Sequence, residues 1–162
     1  MRNFIFILIA FTTSFVHSQK NIKAVLKKFN KGDIPYMSVD SLKANQNIKI
    51  LDAREPNEYK TSRLKNAIFV GYDHFDLAKT TSQLPDKNEK ILVYCSIGVR
   101  SEQIARKLKK AGYTNVYNLY GGIFEWKNKT YPIYNKHQQP TDSIHVFSKD
   151  WKEYSKKGIP VY

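Results

Sequence analysis

Cys95 is the only cysteine among 162 residues, and it directly follows four apolar residues, Ile91-Leu92-Val93-Tyr94. Such a continuous apolar run reads as a strand that a parallel sheet buries on both faces. Helical spacing begins at Arg100, so Cys95-Ser96-Ile97-Gly98-Val99-Arg100 forms a loop between a strand end and a helix start. Ligands of open α/β sheets bind at the carboxyl ends of strands. A helix start presents unpaired N–H groups and partial positive charge, which favour thiolate over thiol. Gly98 allows successive amides to turn inward as an anion cradle. Ser96 and Ser101 would add hydroxyl donors, Ile97 and Val99 an apolar rim, and Arg100 a fork of donors for a substrate anion. This pattern points to covalent chemistry by an acidic thiolate. The competing reading makes Cys95 a buried packing residue, the commoner place for a lone free cysteine.

The elements around the loop predict an α/β fold. Asn21 to Phe29 has helical spacing, and Met37 to Val39 reads as a brief strand. Ile48 to Asp52 and Ala67 to Val70 read as further strands, with Pro56 opening the helix between them. A short helix is expected near Phe75 to Ala78. Ser101 to Ala111 is the clearest helix, with Ile104, Ala105, Leu108 and Ala111 on one face. Val116 to Leu119 is a last strand, and Ile123 to Lys127 a last helical turn bearing Trp126. Strands alternating with helices imply a parallel sheet with right-handed crossovers. Asp52 and Arg54 end a neighbouring strand and could approach the loop, Asp52 as structural support and Arg54 as a substrate contact.

Three motifs in order carry a resemblance. Ile50-Leu51-Asp52-Ala53-Arg54-Glu55-Pro56-Asn57-Glu58-Tyr59, Val93 to Ser101, and Asn118-Leu119-Tyr120-Gly121-Gly122-Ile123-Phe124-Glu125-Trp126 resemble the signatures of single-domain rhodanese-like proteins, across about Met37 to Pro132. The resemblance implies a three-layer fold with a mostly parallel five-stranded sheet flanked by helices. It also implies a sulfurtransferase: Cys95 attacks the outer sulfur of a small anionic donor such as thiosulfate. The resulting persulfide passes its sulfur to cyanide or a thiol acceptor, which can be a protein thiol. No cofactor is implied. Substrate contacts are expected from Ser96, Ile97, Gly98, Val99, Arg100, Ser101 and Arg54. Two alternatives use the same loop: a non-catalytic persulfide carrier or redox-sensing module, and a phosphatase. Cysteine-dependent phosphatases of similar fold have one residue more in this loop, to hold the bulkier phosphate, which favours sulfur here. Where many family members carry Gly-His-Ile after the first helix, this chain has Ser62-Arg63-Leu64. No role is transferred there.

Met1-Arg2-Asn3, an apolar run from Phe4 to Phe11, and Val16 and Ser18 at the minus-three and minus-one positions describe a signal peptide cleaved near Ser18-Gln19. Residues 1–18 would then be a leader, and the mature protein periplasmic or secreted. An uncleaved anchor is the alternative, but the run falls short of the ~20 residues that span a bilayer. No stable membrane anchor is expected. Residues 19–36 form an amino-terminal helical extension, 37–134 the domain, and 135–162 a carboxy-terminal extension. In that last segment Phe147, Trp151 and Tyr154 recur at helical spacing and should dock on the domain. The formal charge of +13 favours anionic partners in general. The lysines are scattered rather than built into a nucleic-acid module, so no nucleic-acid partner is expected. A metal is not expected either: there is no CxxC, and His74, His137 and His145 stand far apart in sequence.

Overall fold

A computed structural model describes residues 21–45 and 47–162. The leader read at residues 1–18 lies outside them. Helix α1 (Ile22–Phe29) starts at Asn21, whose side chain accepts the Lys23 amide at 2.8 Å. Strand β1 (Tyr36–Met37) follows, then α2 (Val39–Ala44). The strand expected to reach Val39 is shorter because Ser38 caps α2, accepting the Ser41 amide at 3.0 Å.

The domain continues through β2 (Lys49–Asp52), α3 (Pro56–Thr61), β3 (Ile68–Phe69), α4 (Leu77–Thr81), β4 (Ile91–Tyr94), α5 (Arg100–Lys110), β5 (Val116–Leu119) and α6 (Gly122–Asn128). Asp76 caps α4 by accepting the Lys79 amide, so this helix starts two residues later than expected. The five strands form one sheet in the order β1-β5-β4-β2-β3, and every neighbouring pair is parallel. The fold is thus a parallel five-stranded α/β arrangement, as the resemblance implies.

Alternation along β4 divides the core. Leu92 and Tyr94 face the layer containing Leu119, Ile123 and Phe124, while Ile91 and Val93 face the layer containing Ile104, Leu108 and Val116. All four β4 residues are buried, as a central strand covered on both sides requires. The strand therefore ends at a fixed height, with Cys95 at the carboxyl edge of the sheet.

The carboxy-terminal segment docks, though not as one helix. Strands β6 (Ile133–Tyr134) and β7 (Pro140–Thr141) pair antiparallel, and β8 (Ser143–His145) pairs in parallel with β9 (Ile159–Val161). A 3-10 helix, Lys149–Tyr154, lies between β8 and β9. Its three-residue turn brings Trp151 and Tyr154 onto one side, against the core, with ring centroids 5.5 Å apart. Phe147 precedes this helix and is 53% exposed, so the three aromatics do not share a buried face. Strand β8 packs on α3. The Lys127–Asp142 ion pair at 2.5 Å fastens the segment. Asn128 adds to this by donating to the Tyr154 carbonyl at 3.0 Å and accepting the Lys156 amide at 2.8 Å.

Candidate active site

Cys95 leaves β4 buried, and its Sγ accepts the Gly98 amide at 3.1 Å. The Ser101 hydroxyl lies 3.5 Å from Sγ and donates to Asn118 Oδ1 at 2.7 Å. Burial raises the thiol pKa, but the Arg100 charge, the Ser101 hydroxyl and the Ser101 and Gly98 amides outweigh it and hold Cys95 below the ordinary thiol value. The loop is therefore built to carry an anionic sulfur. Because the thiol is an acid with a lowered pKa, its thiolate persists to lower pH than a free cysteine's. The alkylation rate by iodoacetamide should rise with pH and level off at lower pH than a free thiol's; a plateau reached only above the ordinary thiol value of 9.0 would contradict the geometry.

Backbone geometry fixes the cradle from two sides. Gly98 has φ +110°, and a Cβ there would lie 3.2 Å from the Leu119 carbonyl oxygen. Its carbonyl accepts Asn118 Nδ2 at 2.8 Å and Asn30 Nδ2 at 2.9 Å, which ties the loop to β5 and to the end of α1. From below, the start of α6 donates Ile123 N to the Cys95 carbonyl at 3.0 Å and Phe124 N to the Ser96 carbonyl at 3.1 Å. Gly122 makes that approach possible: with φ +55°, its Cβ would sit 2.3 Å from the Cys95 carbonyl oxygen. Gly122→Ala should displace the loop, costing about 2 kcal/mol of stability and at least roughly tenfold in Cys95 reactivity. Thermal melting and alkylation rates check this; wild-type values in both would show that the contact yields freely.

Arg100 does not stand free for a substrate anion. Its Nη1 donates to Glu58 Oε2 at 2.7 Å and its Nη2 to Glu58 Oε1 at 2.8 Å, with a further bond from Nη2 to Ser96 Oγ at 3.0 Å. Glu58 is buried on α3 and also accepts the Ser96 hydroxyl at 2.9 Å and the Glu55 amide at 2.9 Å. Burial raises the Glu58 pKa, yet the Arg100 fork overcomes it and keeps the carboxyl below its ordinary value. Arg100 thus reaches Cys95 as a fixed background charge.

Arg54 is further from its expected role. It is 0% exposed, its Nε and Nη2 lie on Asp52 at 3.0 and 2.7 Å, and Nη2 also reaches the Ser62 carbonyl at 2.6 Å. The expectation of Arg54 as a substrate contact is corrected: it does not line the cavity at Cys95, because Asp52 two residues earlier holds its guanidinium inward. Asp52 also accepts the Tyr94 hydroxyl, joining the ends of β2 and β4 at the base of the loop.

A cavity of about 260 Å³ opens onto Cys95, with Ser96, Ile97, Val99 and Arg100 in its wall. Gly98 and Ser101 lie behind the sulfur rather than in the wall. Phe29, Phe147 and Trp151 complete the wall from outside the domain core. The sequence reading did not single out Glu58, Asn118 or this aromatic contribution. Asn118 had a detectable signal, a polar residue at a buried position of an apolar strand. Glu58 had only a local one, its capping box with Glu55.

A family model described as Rhodanese-like domain matches residues 38–129. Among curated proteins, a thiosulfate sulfurtransferase GlpE of Coxiella burnetii is 32% identical over 96 residues, covering 58% of this chain and 85% of that protein. A tRNA uridine(34) hydroxylase of Aster yellows witches'-broom phytoplasma is 40% identical over 84 residues, covering 50% of this chain but only 27% of that protein. Among solved structures, a thiosulfate sulfurtransferase of Pseudomonas aeruginosa superposes with a TM-score of 0.58 over 83% of this chain and 25% of its own, at 22% identity, a likeness of fold alone.

Proposed function

The chain belongs to the rhodanese-like domain family, and on that premise we propose that it is a sulfurtransferase working through a persulfide on Cys95. The observation that carries the reading is the Cys95 sulfur held by the Gly98 amide at the foot of an open cavity, with its pKa lowered. The Cys95 thiolate attacks the outer sulfur of a sulfane donor, for example thiosulfate. The donor S–S bond breaks, sulfite leaves with the electron pair, and a persulfide forms on Cys95. Cyanide or a thiolate then attacks the outer persulfide sulfur and returns Cys95 as thiolate. The amides at Sγ stabilise the anion before and after transfer. No external oxidant or reductant enters the balance.

Export belongs to the proposal on the leader-like residues 1–18 alone. The test supplies the full chain with thiosulfate and cyanide, following thiocyanate together with the intact mass. A mass increment of about 32 Da, one sulfur on the thiol, with repeated turnover supports the transferase. A stable increment without turnover makes the protein a carrier. Cysteine-dependent hydrolysis of an aryl phosphate would overturn both.

A further inference from the structure

We infer that the sulfur donor of this site carries an apolar organic group of about phenyl size, and that Phe29, Phe147 and Trp151 select it. The inference rests on the Cys95 persulfide reading and adds the substrate class to it.

Three rings brought from two separate segments line the cavity that opens onto Cys95. Phe29 ends α1, and Phe147 and Trp151 come from the segment after β8. All three lie outside residues 38–129, so the collar is added to the family's domain rather than part of it. Phe29 and Phe147 are 54% and 53% exposed, an unfavourable place for two large aromatic rings unless something covers them. With Ile97 and Val99 they leave the cavity wall almost wholly apolar.

Phe147 is held there deliberately. Its φ is +64°, in the left-handed region that a bulky residue rarely adopts. Two hydrogen bonds keep the turn: its amide donates to His145 Nδ1 at 3.0 Å, and the Ser148 amide donates to the Val146 carbonyl at 2.7 Å. The turn carries the ring over the Arg100 guanidinium, 5.1 Å from the ring centroid. Arg100 is therefore occupied twice, by Glu58 on its fork and by Phe147 on its face.

This arrangement disfavours thiosulfate as the preferred donor. A dianion entering the cavity would lose water against apolar rings, and among the described residues the cation in the wall, Arg100, already faces a carboxylate. A monoanionic donor with an apolar tail meets the opposite situation. Its terminal sulfur reaches Cys95 and the loop amides, while its organic group covers the exposed rings. The volume of about 260 Å³ suits one ring or a branched alkyl group. The transfer balances as before: a thiosulfonate R–SO₂–S⁻ gives its outer sulfur to the Cys95 thiolate and leaves as the sulfinate R–SO₂⁻ with the bonding electron pair. An organic persulfide would leave as the thiolate RS⁻.

The test compares methanethiosulfonate, benzenethiosulfonate and thiosulfate as donors to the full chain, with cyanide as common acceptor. Each kcat/KM is normalised to the uncatalysed rate. The expected result is a preference of at least about tenfold for the benzene over the methane compound, expressed in KM, as a pocket reading apolar bulk provides. The double variant Phe29→Ala, Phe147→Ala should bring that ratio towards parity. Both rings are more than half exposed, so their removal leaves the core intact, and Trp151→Ala supplies an independent reduction. Parity in the wild type, or a preference that neither variant moves, overturns the inference and leaves the persulfide reading standing. Failure of all three donors to charge Cys95 overturns both.

Discussion

Cys95→Ser should abolish sulfur transfer, lowering turnover by at least about 10³-fold, because the substitution removes the only atom that can hold the sulfur in transit. Serine is almost the same shape, and its Oγ can accept the Gly98 amide that Sγ accepts at 3.1 Å, so the loop should keep its geometry. What changes is chemical. An alkoxide is inaccessible near neutral pH, and the Arg100 charge and loop amides that suffice to lower a thiol pKa cannot make a hydroxyl ionise. No second thiol can substitute, since Cys95 is the only cysteine. The variant should therefore show neither thiocyanate formation nor the added sulfur in its intact mass, with an unchanged melting temperature. Sulfur bound to the serine variant, or transfer at more than about one hundredth of the wild-type rate, would move the chemistry away from this residue.

The path from sequence to this site was legible where local patterns sufficed. The apolar run Ile91 to Tyr94 and the periodic helix after Arg100 located Cys95 between a strand end and a helix start, and β4 and α5 occupy those positions. What could not be read locally was the state of the charges. Arg100 in sequence offers five donors to any anion, but its partner Glu58 lies 42 residues earlier on α3. Only the packing of α3 beside the loop decides that the fork closes on a carboxylate. Arg54 is the counterpart case. Its Asp52 partner is two residues away and visible, yet whether the pair turns outward to substrate or inward to the core depends on burial by neighbouring elements. The carboxy-terminal segment escaped for a different reason. A three-residue strand pairing with another sixteen residues on, around a 3-10 turn, has no period to detect. The helical spacing of Phe147 with Trp151 and Tyr154 is accidental, because the left-handed φ of Phe147 breaks the chain direction before the helix begins.

Glu58→Gln should strongly destabilise the fold while leaving the nucleophile in place. The Glu58 carboxylate accepts four hydrogen bonds, two from Arg100, one from Ser96 and one from the Glu55 amide. A glutamine offers one acceptor oxygen and turns an NH₂ group towards donors, leaving a guanidinium whose side chain is only 17% exposed without a counter-charge. Breaking a buried pair from one side costs roughly 3–5 kcal/mol, and the partial exposure of Arg100 points to the lower end. At roughly 2–4 °C per kcal/mol for a chain of this size, the melting temperature should fall by about 6–12 °C. The double variant Glu58→Gln, Arg100→Gln isolates the cause. Two amides can pair with each other, so removing both charges should restore at least about half of the loss, as buried pairs do when both partners go. A Glu58→Gln protein melting within about 2 °C of wild type would show the ion pair to be energetically idle. A double variant no more stable than the single one would transfer the cost to the Ser96 and Glu55 bonds, and Glu58 would then hold the loop through its helix cap rather than through Arg100.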